Sequence, residues 1–156
     1  MKRFHVHLSV ADLASSTTFY TGLFGQEPTA RHADYAKWML EDPRVNFAIS
    51  SRARKPGLDH FGFQADSAEE LLELQGRAQQ AAPGEVLQQP EARCCYASGD
   101  KHWTRDPQGV SWEHFQTLGE IPDFGSDTAS DSPACCTPAV ATTSCCTPGA
   151  AASACC

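Results

Sequence analysis

A histidine lies on an alternating, strand-like segment twice in this chain, and each time a helix-capping residue follows seven positions later. Phe4-His5-Val6-His7-Leu8-Ser9-Val10 alternates apolar and polar side chains. Asp12 is then placed to cap a helix through Leu13, Phe19, Tyr20 and Leu23 to Gly25. Leu58-Asp59-His60-Phe61-Gly62-Phe63 alternates likewise, and Ser67-Ala68-Glu69-Glu70 is a capping box ahead of a helix through Leu71, Leu72 and Leu74 toward Pro83-Gly84. His5 and His60, 55 positions apart, therefore occupy matching places on equivalent first strands. Strand-like material follows each helix, at Tyr35–Met39 and Val45–Ile49 in the first half and at Lys101–Thr104 and Val110–Gln116 in the second. The pattern predicts an α+β fold of two tandem βαβββ modules, about 1–54 and 55–124, forming a curled mixed sheet around a cleft into which the first strands project.

Residues 1–124 form one domain on this reading. From Gly125 the composition shifts to Ala, Ser, Thr, Pro and Cys with no Lys or Arg, and Cys135-Cys136, Cys145-Cys146 and Cys155-Cys156 recur every ten residues. A ten-residue period without aliphatic bulk cannot stack a core, so 125–156 is expected to be a flexible, disordered tail. A net charge of −7 and a pI near 5.2 exclude a basic nucleic-acid or anionic-membrane surface. No apolar run approaches the roughly 20 residues that span a bilayer, and Met1-Lys2-Arg3 runs directly into a strand, so a cytoplasmic protein is expected. The eight cysteines come as four adjacent pairs. Neighbouring cysteines bond each other only through a strained ring, so reduced thiols that bind something are the expected state.

Histidine is the commonest side-chain metal ligand, and two histidines with one carboxylate form a facial set with open positions. His5, His60 and Glu113 have that chemistry, with Glu113 53 positions after His60 on the last strand of the second module. His7 shares a face with His5 and competes with it; only the seven-residue match selects His5. His114 points opposite Glu113, toward the outside, and His32 and His102 fall in or near loops.

These segments resemble the vicinal oxygen chelate superfamily, which includes glyoxalases, fosfomycin-resistance proteins and extradiol dioxygenases. The likeness covers residues 1 to about 118. It rests on His5-Val6-His7-Leu8-Ser9-Val10-Ala11-Asp12-Leu13, on Phe19-Tyr20 with Leu23-Phe24-Gly25, on Leu58-Asp59-His60-Phe61-Gly62, and on Arg105-Asp106-Pro107-Gln108-Gly109-Val110-Ser111-Trp112-Glu113. It implies a metal at His5, His60 and Glu113. Glyoxalase-like members typically use a fourth protein ligand, whereas the three-ligand set suits Fe(II) and dioxygen.

Cys94-Cys95 has two readings. Cysteine is often an inert small hydrophobe in a core. Here, however, the surroundings from Glu91 to Asp100 are polar and loop-like, and Arg93 can lower a thiol pKa. A regular strand would point the two sulfurs to opposite faces, so joint binding requires a bent, mobile loop near residues 91–100. With this pair and the Asp100-Lys101-x-Trp103 segment, the chain is similar to the bacterial carbon–arsenic lyases, Fe(II)-dependent dioxygenases sometimes called cadmium-induced proteins. The resemblance implies that Cys94 and Cys95 hold a trivalent organoarsenical such as methylarsenite, that Fe(II) and O2 serve the cleavage, and that arsenite is released. The six tail thiols (Cys135, Cys136, Cys145, Cys146, Cys155, Cys156) would then concentrate thiophilic species near the site. The competing functions are a glyoxalase- or glutathione-transferase-type enzyme using another divalent metal, and a non-enzymatic store for cadmium or arsenite. Homodimer and monomer are both open.

Overall fold

The computed structural model describes residues 1–53 and 55–125. The tail thiols, Cys135 to Cys156, lie outside the described residues.

Capping places both helices. Asp12, in extended conformation, accepts a hydrogen bond from the Ser15 amide (2.6 Å) and opens α1, Leu13–Phe24, which ends at Gly25 in the left-handed region. Ser67 accepts from the Glu70 amide (3.3 Å) to open α2, Ala68–Ala81, which stops before Pro83. The Glu70 carboxylate accepts from the amide of Asp66 (3.0 Å), one residue earlier than a capping box would have it.

The strands are β1 (Arg3–Ser9), β2 (Ala30–Arg31), β3 (Tyr35–Glu41), β4 (Arg44–Ser50), β5 (Gly57–Gln64), β6 (Leu87–Cys94), β7 (Ala97–Arg105) and β8 (Ser111–Glu120). They form one mixed sheet in the order β2-β3-β4-β1-β5-β8-β7-β6. Each half repeats the other: β4 runs parallel to β1 and β8 parallel to β5, while β1 and β5 meet antiparallel at the centre. This is the α+β, twice βαβββ arrangement expected, with β2 and β6 as the strands that alternation did not reveal.

The period-two pattern divides the sheet into an apolar outside and a polar inside. Phe47 and Ile49 of β4 and Ala36, Trp38 and Leu40 of β3 face α1, where Leu13, Tyr20 and Phe24 pack against the cluster around a fully buried Trp38. Phe4, Phe61, Phe63 and Trp112 stack on the same side across the centre, with ring centroids 5.5–6.4 Å apart. The inner face carries His5, His7, Ser9, Asn46, Ser50 and His60, all buried. Polar side chains buried on a concave face need partners, and the helices on the far side cannot supply them. The cleft is therefore the chemically interesting surface. Among the described residues, no helix is long and apolar enough to cross a membrane.

Candidate metal centre

His5 on β1, Gly62 on β5 and Glu113 on β8 lie in one lateral row, with His60 one pair further along β5 opposite His7. Gly62 is what lets this row close. A β-carbon there would lie 1.7 Å from the Glu113 carbonyl oxygen, inside any possible contact. Gly62→Ala is expected to force β5 and β8 apart and to destabilise the chain by about 1–3 kcal/mol or more, the usual cost of overpacking, measurable as a lowered midpoint in urea.

Three donor atoms converge above that glycine. His5 Nε2 and His60 Nε2 are 3.1 Å apart, and Glu113 Oε2 is 3.6 Å from the first and 3.3 Å from the second. Ligands on one face of an octahedron with bonds of about 2.1 Å are separated by about 3.0 Å, so the triangle fits a single divalent cation seated above it. All three residues are at most 9% exposed. Their outward-facing atoms are tied down as well. His5 Nδ1 pairs with the Asn46 carbonyl (3.0 Å) and His60 Nδ1 with Asp59 Oδ1 (2.6 Å), which directs both Nε2 atoms into the triangle. Lys101 Nζ lies 3.3 Å from Glu113 Oε1, on the side away from the histidines, so the carboxylate presents one oxygen inward. The Trp103 ring packs edge-on against His60 at 5.1 Å.

The charges follow. Burial alone would raise the Glu113 carboxyl, but Lys101, His60 and His5 outweigh it and hold it well below the usual carboxylate range. Burial lowers His5 to about 4, helped by the neighbouring His60. Burial also opposes charge on His60, yet its hydrogen bonds to Asp59 and Glu113 lift it to about 9. A cation entering the triangle would therefore displace the proton that His60 holds at neutral pH.

Asp59 escaped the sequence reading for a specific reason. Register passes from His7↔His60 to Leu8↔Leu58, leaving Asp59 unpaired in a β-bulge. Alternation alone would send it to the opposite face from His60; the bulge turns it back toward His60 and Ser9, whose hydroxyl donates to Oδ2 (3.3 Å). Lys101 was visible only as part of a motif. Its inward position needed the register of β7 against β8.

The rejected histidines are placed as follows. His7 faces the cleft beside His60, with Nε2 3.0 Å from the Ser50 hydroxyl. His114 points opposite Glu113, as expected, while His102 is not a loop residue but lies within β7; the two pair across β7 and β8 on the outer face, rings 4.8 Å apart, both buried. His32 lies before β3 and stacks on Tyr96.

The cysteine segment corrects the expected loop over 91–100. β6 runs through Cys94 and β7 starts at Ala97, so only Cys95 and Tyr96 turn. Both have positive φ, 61° and 62°. That is the signature of a type I′ hairpin, normally built from Asn-Gly because each ordinary residue in the left-handed region costs about 1–2 kcal/mol. The bend needed to bring the sulfurs together is thus a tight two-residue turn. Cys94 Sγ and Cys95 Sγ are 2.9 Å apart, well beyond the roughly 2.05 Å of a disulfide. Both line the same cleft as His5, His60 and Glu113. Tyr35 stands between, packed against the cysteines and 6.1 Å edge-on to His7. Burial, then Cys95 and Cys94, push its phenol well above the ordinary range, so it stays a neutral donor.

The sequence matches the family model described as Glyoxalase/Bleomycin resistance protein/Dioxygenase superfamily over residues 2–114. It is 37% identical over 138 residues, 87% of this chain and 83% of the relative, to a protein of Bacillus sp. (strain MD1) named trivalent organoarsenical cleaving enzyme. It is 32% identical over 150 residues, 90% of this chain and 97% of the relative, to a Mycobacterium tuberculosis protein named cadmium-induced protein CadI. Among solved structures, an extradiol ring-cleaving dioxygenase from B. fuscum superposes with a TM-score of 0.56 at 17% identity, over 75% of this chain and 32% of that one; this likeness speaks to fold.

Proposed function

The chain belongs to the glyoxalase/bleomycin resistance protein/dioxygenase superfamily, and from that premise we propose that it is an Fe(II)-dependent, O2-using enzyme that splits the carbon–arsenic bond of trivalent organoarsenicals, methylarsenite among them, to release arsenite. The supporting observation is the pair of thiols 2.9 Å apart in the lining of the cleft that holds the His5, His60 and Glu113 donors. Soft thiolates and a hard carboxylate–imidazole set suit two different bound species, and an arsenical and a divalent metal are such a pair.

His5, His60 and Glu113 are the proposed metal ligands, and Fe(II) bound there would supply the activation of dioxygen. The protein's own part is positioning. A methylarsenic(III) dihydroxide has two exchangeable ligands; each cysteine forms one As–S bond and gives its proton to a departing hydroxide, so two waters leave. The organic group is then the remaining substituent, fixed inside the cleft instead of diffusing. Asn46 and Asp59 hold the imidazoles in the tautomer that offers Nε2, Lys101 keeps Glu113 to a single inward oxygen, and Tyr35 walls the space between thiols and histidines. Asp59→Asn is expected to lower Fe(II) affinity about 10–100-fold while leaving the fold intact, as a competitive chelator titration would measure.

The reading is tested by turnover with Fe(II), Mn(II), Zn(II) and Ni(II), each with and without oxygen. It predicts methylarsenite cleavage with Fe(II) and only aerobically. Metal-dependent cleavage in the absence of oxygen would replace it with a glyoxalase-like mechanism, and several soft ions bound without turnover would replace it with sequestration.

A further inference from the structure

The thiol-bearing turn belongs to the β6–β7 hairpin at one edge of the sheet, yet its tip is fastened to the other edge. Tyr96 donates a hydrogen bond to Asp34 Oδ1 (2.6 Å), just before β3, and Arg52 holds the other carboxylate oxygen at 2.6 Å. The Tyr96 ring lies flat on His32, centroids 3.4 Å apart and 2° from parallel, and meets Phe124 edge-on at 5.7 Å. Its carbonyl accepts from the Ile121 amide (3.1 Å). These contacts surround a turn whose two central residues, Cys95 and Tyr96, are both left-handed although neither is Gly or Asn. Such a conformation persists only where its surroundings over-determine it. The same left-handed step at Cys95 breaks the alternation of the strand and brings its sulfur beside that of Cys94 instead of across the sheet.

We infer that Tyr96, anchored on Asp34 and stacked on His32, is the positioning residue that holds Cys94 and Cys95 side by side as a two-point arsenic clamp. The inference rests on the two-thiol reading above. Tyr96 is given no contact with the substrate; it sets the distance between the groups that make it. Asp34 is suited to the anchor. Although burial raises its carboxyl, the bonds from Tyr96 and Arg52 outweigh this and keep it ionised, a stronger acceptor than a neutral group.

The test uses the full chain with Cys135, Cys136, Cys145, Cys146, Cys155 and Cys156 changed to serine, and two probes. Phenylarsine oxide has two exchangeable positions on arsenic; diphenylarsine chloride has one. Tyr96→Phe and Asp34→Ala should each weaken phenylarsine oxide binding about tenfold, equivalent to about 1.4 kcal/mol, and leave diphenylarsine chloride binding and iron content unchanged. Equal losses for both probes, or no loss for either, would overturn the positioning role while leaving the two-thiol reading intact, provided the parent chain consumes two thiols per phenylarsine oxide. A parent chain that consumes fewer than two would overturn the two-thiol reading and this inference with it. Asp34→Ala leaves the turn's own residues untouched, so it answers even where Tyr96→Phe disturbs the tip.

Discussion

His60→Ala is expected to leave the chain without bound Fe(II) and without organoarsenical turnover. His60 is 2% exposed and links Asp59 to the candidate centre through its two ring nitrogens, so its removal deletes one donor of three and disconnects the bulge that orients it. Loss of a supporting outer partner costs 10–100-fold in metal affinity, and loss of a ligand should exceed about 100-fold. Iron measured after anaerobic loading and desalting should fall from near one per chain to background. Binding of phenylarsine oxide at Cys94 and Cys95 should survive, because those thiols are held by the β6–β7 turn and not by His60. An His60→Ala chain that kept iron and activity would move the metal elsewhere, since the neighbouring set among the described residues, His7, Asp59 and His60, shares the deleted ligand.

The converse result is expected for the thiols. Cys94→Ser, Cys95→Ser and the double variant should each keep full iron and lose methylarsenite turnover at low substrate. The chelate argument gives this prediction its shape. Two linked contacts bind more tightly than one by on the order of 10²–10⁴-fold, because the second forms within the complex. Either single substitution forfeits that gain, so the two single variants should fall by similar factors. The double variant should fall by much less than the product of the two, since the sites act as one. Steady-state kinetics at several substrate concentrations separates this from a folding defect: the loss should appear in KM well before kcat. A double serine variant with unaltered methylarsenite kinetics would remove Cys94 and Cys95 from substrate binding and leave the metal centre to act without them.

How much of this is legible in the sequence depends on which physical signal carries each part. Caps at Asp12 and Ser67 and the alternation through His5 and His60 are local and strong, and they located α1, α2, β1 and β5. From the two-fold repeat came the pairing of halves and hence the convergence of His5, His60 and Glu113. β6 was illegible because it is an edge strand with Pro90 in it and little buried surface, so nothing enforces alternation. The first half of β7, Ala97-Ser98-Gly99-Asp100, is equally bare of apolar residues, because its cleft-facing side meets the pocket and not a core. Asp59 was hidden by a bulge, which shifts register without changing composition. The turn at Cys95-Tyr96 was hidden by its own residues, since a left-handed pair outside the Asn-Gly preference follows from the long-range grip of Asp34 and His32 and has no local signature. The expected loop was thus a misreading of weak strand propensity as irregular chain.

The central claim, that the thiol pair and the His5–His60–Glu113 centre serve one reaction, is tested most directly by arsenite release. The full chain is loaded anaerobically with Fe(II), mixed with methylarsenite, exposed to oxygen, and assayed for inorganic arsenite by liquid chromatography with arsenic detection. The account predicts arsenite formed in step with methylarsenite consumed, dependent on both Fe(II) and oxygen. Arsenite no higher than in a metal-free control, from a chain with iron bound and both thiols reduced, would contradict it.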